Sequence, residues 1–316
     1  MSTTENPPIA SSHISWILLD SEVCIGNASH RNDSTAVEAR RNRKPIEVSV
    51  CAVRPPNPSR LYVHCPDLEA GEVFIQQPCI VSTADGFVLL RLGVGCPPSR
   101  FSISISSRSA RTRYEMNDYF IYRPAGPEGP SLKRLQKPPA HFFQNYEVAL
   151  LPRGDHFTLA ALSARISSNQ FDHHLFKSED GSWDWDTEEL VLSEKPFEHH
   201  MTTAVITIGG ECGTIGWVDL WRGILLCDLL TENHNLRYLP LPLTSLEGRM
   251  DGCPQPFRAI AVVGSSLKLV DLQVHAERLP NNDPETRPPG GPTSDSMTGH
   301  SPHIPRARMQ PPIFVA

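Results

Sequence analysis

Prolines occur through this chain at a density that leaves little room for long helices. The 316 residues contain 30 prolines, nearly twice the usual share of about 5%, and a proline inside a helix removes a hydrogen bond and clashes with the preceding turn. Between the prolines lie short runs of β-branched, aromatic and leucine residues, bounded by Gly, Pro, Asn or Asp. This pattern is typical of many short β-strands joined by turns.

The apolar runs predict fourteen strands and therefore an all-β fold. The run Phe101–Ser106 alternates apolar residues with serines, as a half-buried strand requires, whereas Phe87–Leu90 is apolar on both faces and is expected between two packed layers. We expect a propeller-like stack of short antiparallel sheets, either complete or lacking a terminal blade. The predicted strands are residues 46–53, 60–65, 87–92, 101–106, 119–123, 146–151, 157–164, 173–177, 203–208, 215–220, 224–230, 236–241, 259–263 and 267–274.

Composition also divides the chain into three parts. Residues 1–12 are polar and proline-bearing and are predicted to be disordered, and residues 13–275 carry the strand pattern of one β domain. From residue 276 onward the chain becomes rich in Pro, Gly, Ser and His, with too little apolar surface to offset the entropy of ordering. Residues 276–316 are therefore predicted to be a disordered tail.

The overall charge argues against nucleic acid as a partner. The formal net charge is −6, so no global positive field is available to hold a phosphate backbone. The basic cluster Arg40, Arg41, Arg43 and Lys44 is interpreted as a solvated loop, with a nuclear localisation signal as the alternative. No apolar run reaches the roughly 18 residues of a membrane span, and no secretory leader is recognisable. The predicted location is the cytoplasm or nucleus, with no membrane partner.

No catalytic, metal or cofactor motif is recognisable. The eight cysteines are dispersed without a CxxC pair and are interpreted as free thiols. His173-His174 and His199-His200 are adjacent pairs whose side chains would point to opposite faces of a strand, so surface or loop positions are expected rather than a metal site. Asp184-Trp185-Asp186 resembles paired carboxylates but is interpreted as a polar turn. We therefore predict no catalytic residues, no metal and no cofactor.

The most distinctive stretch is the glycine-rich segment that begins at Gly209. Gly209–Gly216 lacks the Lys-Ser/Thr of a phosphate-binding loop and is interpreted as a tight hairpin. The following residues 216–228, GWVDLWRGILLCD, fit either an amphipathic helix or two strands joined at Trp221-Arg222-Gly223. The glycines favour the two strands, because each glycine costs about 1 kcal/mol in a helix. Gly223 is expected to occupy a turn position with positive φ.

This stretch resembles the signature of a large plant family, expanded in grasses, known as domain of unknown function 1618. Shorter segments similar to that family occur in the same order, so that the resemblance spans roughly residues 13–275. They are SRLYVHC at 59–65, VLLR at 88–91, DYFIY at 118–122 and LRYLPLP at 236–242. The resemblance implies a relative of the F-box-associated propellers and a β-rich interaction domain without assigned chemistry. The segment before Trp16 is too short for an F-box, and the family continues where this chain becomes proline-rich.

Within this stretch, Trp217, Asp219, Trp221 and Arg222 form the candidate binding patch. Trp and Arg are favoured at interface hot spots, although Trp217 also suits a core and an Asp219–Arg222 contact would close a turn. The leading hypothesis is a non-enzymatic module that binds another protein. The alternatives are a hydrolase or glycan-acting enzyme with its site in a central channel, and a truncated family member without activity.

Overall fold

The protein is built almost entirely from β-strands. The computed structural model describes residues 16–69, 71–95, 117–136, 144–165, 169–179, 184–193, 199–242, 253–264 and 266–272, and the backbone of 313–315. Within these ranges the helical segments are two single 3₁₀ turns, Ala28–His30 and Asn145–Glu147, so the predicted all-β class is confirmed. No described helix has the length and apolar character needed to cross a membrane.

The first half of the chain forms one curled sheet. Its strands are β1 (Ile17–Ile25), β2 (Ala36–Ala39), β3 (Pro45–Cys51), β4 (Ser59–His64), β5 (Val73–Ala84), β6 (Phe87–Gly95), β7 (Asn117–Gly126) and β8 (Gly129–Leu135). They are ordered β2-β3-β4-β1-β5-β6-β7-β8, and the pair β1–β4 is parallel. Strand β2 lies against β8, so the sheet is a nearly closed barrel. A short strand numbered β19 (Ile313–Val315) pairs antiparallel with β1.

Polar contacts join the two ends of the barrel sheet. The Tyr122 hydroxyl on β7 donates a hydrogen bond to the carbonyl oxygen of Ser34, just before β2, at 2.7 Å. Arg41, in the turn after β2, forms an ion pair with Asp118 on β7 at 2.8 Å. The predicted basic loop is thus a hairpin turn, but it is not simply solvated, because Arg40 is buried. Arg41 on this turn therefore helps to position β2 beside the last strands of the sheet.

Two four-stranded meanders and a two-stranded ribbon follow the barrel. The first meander contains β9 (Val148–Arg153), β10 (His156–Ala164), β11 (Gln170–Lys177) and β12 (Trp185–Val191), and the second contains β13 (Ala204–Gly209), β14 (Thr214–Asp219), β15 (Gly223–Asp228) and β16 (Arg237–Pro240). The ribbon contains β17 (Arg258–Val263) and β18 (Ser266–Asp271). The first strand of each of these units lies against the unit before it. Strand β9 lies against β5 of the barrel, β13 lies against β9, and β17 lies against β13. This is the stacking of short antiparallel sheets that the strand pattern predicts.

Four apolar layers hold this stack together. One fills the barrel, a second lies between the barrel and the first meander, a third lies between the two meanders, and the fourth joins the second meander to the ribbon. Phe87 and Leu89 face the second layer while Val88 and Leu90 face the barrel interior. The prediction that Phe87–Leu90 lies between packed layers is therefore confirmed.

Most of the predicted strands match observed ones within a few residues, but several observed strands are not predicted. Those outside the fourteen predicted ranges are β1, β2, β5, β8, β12 and β19, and β19 lies in the predicted tail. The predicted polar turn at Asp184–Asp186 is wrong from Trp185 onward, because β12 begins there and pairs with β11. The strand predicted at Phe101–Ser106 lies outside the described residues, as do residues 1–12 and, of the predicted tail, residues 276–312 and 316.

Candidate functional site

The residues of the predicted binding patch lie on the β14–β15 hairpin, and Trp217 is part of the core. Its side chain is fully buried between the two meanders, and its indole N–H donates to the carbonyl oxygen of Glu147 at 2.8 Å. Its ring meets the ring of His173 edge-on, with centroids 5.9 Å apart. Trp217 therefore joins the second meander to both β11 and the 3₁₀ turn before β9.

Asp219 organises the turn of the hairpin. Its carboxylate is fully buried and accepts hydrogen bonds from the backbone N–H groups of Trp221 and Met201, each at 3.0 Å. The Arg222 guanidinium pairs with the same carboxylate at 3.1 Å, and the Arg222 side chain is 32% exposed. Trp221 is 9% exposed. Of the four candidate residues, Arg222 therefore offers the largest exposed fraction, whereas the side chains of Trp217 and Asp219 are fully buried and hold the hairpin in place.

Gly223 follows this turn, but the reason for glycine there differs from the prediction. Gly223 is not among the glycines with positive φ. Instead, a Cβ atom at this position would lie 2.4 Å from the Tyr238 ring, whose hydroxyl donates to the carbonyl oxygen of Arg222 at 2.9 Å. The expectation of a positive-φ turn at Gly223 is thus wrong, and close packing of β16 against β15 requires the glycine.

The preceding glycine-rich segment forms the predicted hairpin. Gly209, Gly210 and Gly213 all have positive φ, in the connection between β13 and β14. An alanine at Gly213 would add strain to a steric clash, because its Cβ would lie 2.6 Å from Leu230 and 2.7 Å from Leu151 of β9. Gly213 therefore sets the contact between the second meander and the first.

The part of the chain that matches a known family begins within the same hairpin. Residues 217–303 match the family described as Protein of unknown function (DUF1618). The match begins at Trp217, includes β15 to β18, and continues through residues predicted to be a disordered tail. It supports the resemblance found in the sequence over this part of the chain, whereas that resemblance was expected from residue 13 onward. No curated protein and no solved structure matches the chain.

A second cluster of chemically capable residues lies beside Trp217, and sequence reasoning did not find it. His173 on β11 is directly opposite Glu188 on β12, and its Nδ1 lies 2.8 Å from Glu188 Oε1. Nδ1 of His234, in the segment before β16, lies 2.5 Å from the same oxygen. A potential ligand atom from each of the three residues lies within 4.8 Å of the others.

The three residues differ sharply in exposure and electrostatics. His173 is fully buried, contrary to the expectation of a surface or loop histidine, and burial lowers its pKa to about 4. The Glu188 side chain is 42% exposed; desolvation acts to raise its pKa, but the hydrogen bonds with His173 and His234 prevail and lower it. The neighbouring His174 is also buried and lies 2.9 Å from the Thr187 hydroxyl through its Nδ1. The cluster thus holds a neutral imidazole beside an ionised carboxylate that reaches solvent.

The buried thiols are not suited to nucleophilic chemistry. Burial raises the pKa of Cys65 to about 11 and that of Cys227 to about 12, so both remain protonated near neutral pH. No disulfide joins the cysteines of the described residues, which agrees with their interpretation as free thiols. Cys65 and Cys227 pack as small apolar residues in the barrel and between the meanders, respectively.

The ribbon β17–β18 carries the clearest exposed apolar surface. Its inner face, with Ile260, Val262 and Leu267, packs on the second meander. Thirteen large apolar side chains are exposed among the described residues, and four of them lie within residues 257–272. They are Phe257 at 40%, Val263 at 56%, Val270 at 59% and Leu272 at 54%. Strand β18 pairs with β17 on one side, and no described strand pairs with its other edge.

Proposed function

We propose that this chain is a non-enzymatic interaction module whose ribbon β17–β18 binds an extended segment of another protein by strand addition. The observation that carries the proposal is the outer edge of β18, which has no paired strand among the described residues. A free strand edge presents a row of backbone donors and acceptors, and proteins that bind peptides by strand addition use such an edge for affinity.

The side chains around this edge support the same function. Val270 on β18 and Leu272 just after it are more than half exposed. In strand addition, backbone hydrogen bonds supply affinity while exposed side chains beside the edge supply selectivity. The inner face of the ribbon packs on the second meander. Among the described residues, the edge is therefore unpaired and belongs to a ribbon that is anchored on a neighbouring sheet.

The candidate patch on the β14–β15 hairpin has a supporting role in this proposal. Arg258, the first residue of β17, is buried and donates a hydrogen bond to the carbonyl oxygen of Leu220 at 2.6 Å. It also donates to the carbonyl oxygen of Pro242 at 2.9 Å. Arg258 thereby attaches the ribbon to the turn that contains Trp221 and Arg222. Arg222 is the residue of that turn through which a partner bound at the ribbon would gain a further contact.

The finer parts of the family resemblance belong to the same proposal. A relationship to the F-box-associated propellers of plants would fit a domain that presents a surface to protein partners rather than one that performs chemistry. A cytoplasmic or nuclear location is the corresponding proposal for where such a partner is met. The propeller relationship and the location both go beyond the DUF1618 match at residues 217–303. Each can be tested independently of binding at the ribbon.

The first test is selection of binding peptides by the full-length chain from a random library of unstructured 12-residue peptides. Peptides of strand-forming composition should be enriched, and Val270→Lys should weaken their binding by about tenfold or more, because a lysine at an edge strand opposes pairing. Binding is measured by fluorescence anisotropy with the selected peptides.

The matched control is Val191→Lys, which changes a valine that is 52% exposed on the edge strand β12 of another sheet. Its affinity for the selected peptides should equal that of the wild type. Two results would contradict the proposal: no enrichment of strand-forming peptides, or equal weakening by the two variants. Loss of self-association in Val270→Lys without any peptide binding would instead identify a second copy of the chain as the occupant.

A further inference from the structure

Two histidines and a glutamate meet between the meanders in a way that ordinary hydrogen bonding does not fully satisfy. His173, Glu188 and His234 come from β11, β12 and the segment before β16. Nδ1 of each histidine faces the same oxygen, Glu188 Oε1, at 2.8 Å for His173 and 2.5 Å for His234. Two imidazole nitrogens and one carboxylate oxygen are a ligand set that Zn²⁺ commonly takes in proteins.

The Nε2 atom of His234 also favours a cation at this cluster. Nε2 lies 3.3 Å from the carbonyl oxygen of Leu229, which accepts but cannot donate a hydrogen bond. A neutral imidazole carries one N–H, so contact with both acceptors requires a positive charge at the ring, supplied either by a second proton or by a metal cation. If Nδ1 binds a cation, Nε2–H donates to the Leu229 carbonyl, and this is the outer hydrogen bond that orients most metal-binding histidines.

His173 supplies the third part of the argument. Its side chain is fully buried, and its Nδ1, the atom that would bind the ion, faces Glu188 Oε1 at 2.8 Å. Its Nε2 has no hydrogen-bond partner among the described residues, and an ion at Nδ1 would leave that unchanged. The ring is held edge-on against both Trp217 and His234, with centroids 5.9 and 5.3 Å apart. These ring contacts fix a desolvated imidazole with its Nδ1 toward the cluster.

We propose that His173, Glu188 and His234 form a binding site for a divalent transition-metal ion, with Zn²⁺ as the expected occupant. The fourth coordination position would face solvent, because Glu188 is 42% exposed while the side chains of His173 and His234 are 0% and 9% exposed. A small rotation of Glu188 provides the spacing between ligand atoms that metal–ligand bonds of about 2.0–2.2 Å require. The ion would join the first meander to the second.

The test uses full-length protein freed of metal with a chelator. Titration with ZnCl₂ followed by calorimetry should give one strong site per chain, and titration with CoCl₂ should give the visible absorption of tetrahedral Co²⁺. His234→Ala and Glu188→Gln should each weaken the affinity for Zn²⁺ by tenfold or more and reduce the cobalt absorption. Both side chains retain some exposure, so the variants are expected to fold, and circular dichroism verifies this.

The matched control is His64→Ala. His64 also contacts a glutamate, since its Nδ1 lies 3.2 Å from Glu47 Oε2, but Arg31 rather than a second histidine completes that cluster. This variant should bind Zn²⁺ as the wild type does, and Zn²⁺ should raise the melting temperature of the wild type and of His64→Ala only. The absence of a strong site, or Zn²⁺ affinity unchanged in His234→Ala and Glu188→Gln, would overturn the proposal and leave a hydrogen-bonded cluster.

Discussion

The barrel and the two meanders are both antiparallel in the main, but they are held in different ways. In the meanders each strand pairs with its neighbour in sequence, and the layer between the two sheets is mainly apolar, with Trp217 fully buried beside the His173–Glu188–His234 cluster. The barrel places β1 between β4 and β5, and buried or partly buried polar contacts such as Tyr122 with Ser34 close it. Local pairing needs only turn chemistry and an apolar face, whereas closing a barrel requires partners far apart in sequence.

The buried carboxylates sharpen the contrast. In the barrel, Glu47 is 4% exposed at its side chain and accepts hydrogen bonds from Arg31 and His64; the bond with Arg31 is the largest cause of its lowered pKa. At the base of the meanders, burial raises the pKa of Glu147 to about 7. Glu47 in the barrel is thus an ionised carboxylate, whereas burial favours the neutral form of Glu147 at the base of the meanders. The two regions should respond to pH in opposite directions.

The largest effect is expected where the meanders meet, at Gly213→Ala. The left-handed backbone, with φ of +60°, costs an alanine about 1–2 kcal/mol, and overpacking against Leu230 and Leu151 adds about 1–3 kcal/mol. Gly154→Ala is the matched control, because it has φ of +64° with nothing within 4 Å of the added Cβ. Urea unfolding should show the control losing about 1–2 kcal/mol. Equal losses in the two variants would mean that the sheets do not meet tightly at Gly213.

A smaller effect is expected in the barrel at Glu47→Gln. Replacing the ionised acceptor of Arg31 and His64 should lower the free energy of unfolding at neutral pH by about 2 kcal/mol. Because the folded pKa of Glu47 lies below its usual value of 4.5, this stabilisation is complete above that value and is lost as the pH falls through the folded pKa. Wild type and variant should therefore converge in acid. A difference that is independent of pH would show that the charge of Glu47 does not matter.

The smallest effect is expected at Glu147→Gln. With a folded pKa of about 7 and a usual value of 4.5, the folded state holds a proton that the unfolded chain releases, so the wild type loses stability as the pH rises from 4.5 to about 7. Since Glu147 is not fully buried, we expect a loss of about 1–2 kcal/mol. The variant should lack this loss, as measured by urea unfolding at several pH values. If the free energy of unfolding falls equally with pH in both proteins, a group other than Glu147 is responsible.

How far the sequence predicts this molecule follows the same division between local and distant contacts. The β14–β15 hairpin and the Phe87–Leu90 run are predicted because glycines, turn residues and apolar faces lie within a few positions of one another. Gly223 is misinterpreted because the reason for its lack of a side chain, Tyr238, comes from the next strand. Strand β12 is missed because its exposed face is charged.

The candidate metal site could not be predicted for the same physical reason. Glu188 is 15 residues after His173 and 46 residues before His234, so no short motif contains the three. Only the pairing of β11 with β12 and the stacking of the second meander bring them together. The adjacent pair His173-His174 correctly predicts side chains on opposite faces of β11. It does not show which of these faces lies next to His234.

The parallel pairing of β1 with β4 has a consequence for how the chain folds. Strand β1 pairs with neither β2 nor β3, so its backbone groups await β4 and β5, which follow some tens of residues later, and β19, which follows much later still. Each meander strand, by contrast, meets its partner across a nearby turn. Pairing across long loops is slow because loop closure must precede any contact. The barrel should therefore set the folding rate, and during synthesis β1 is the segment that waits longest for its partner.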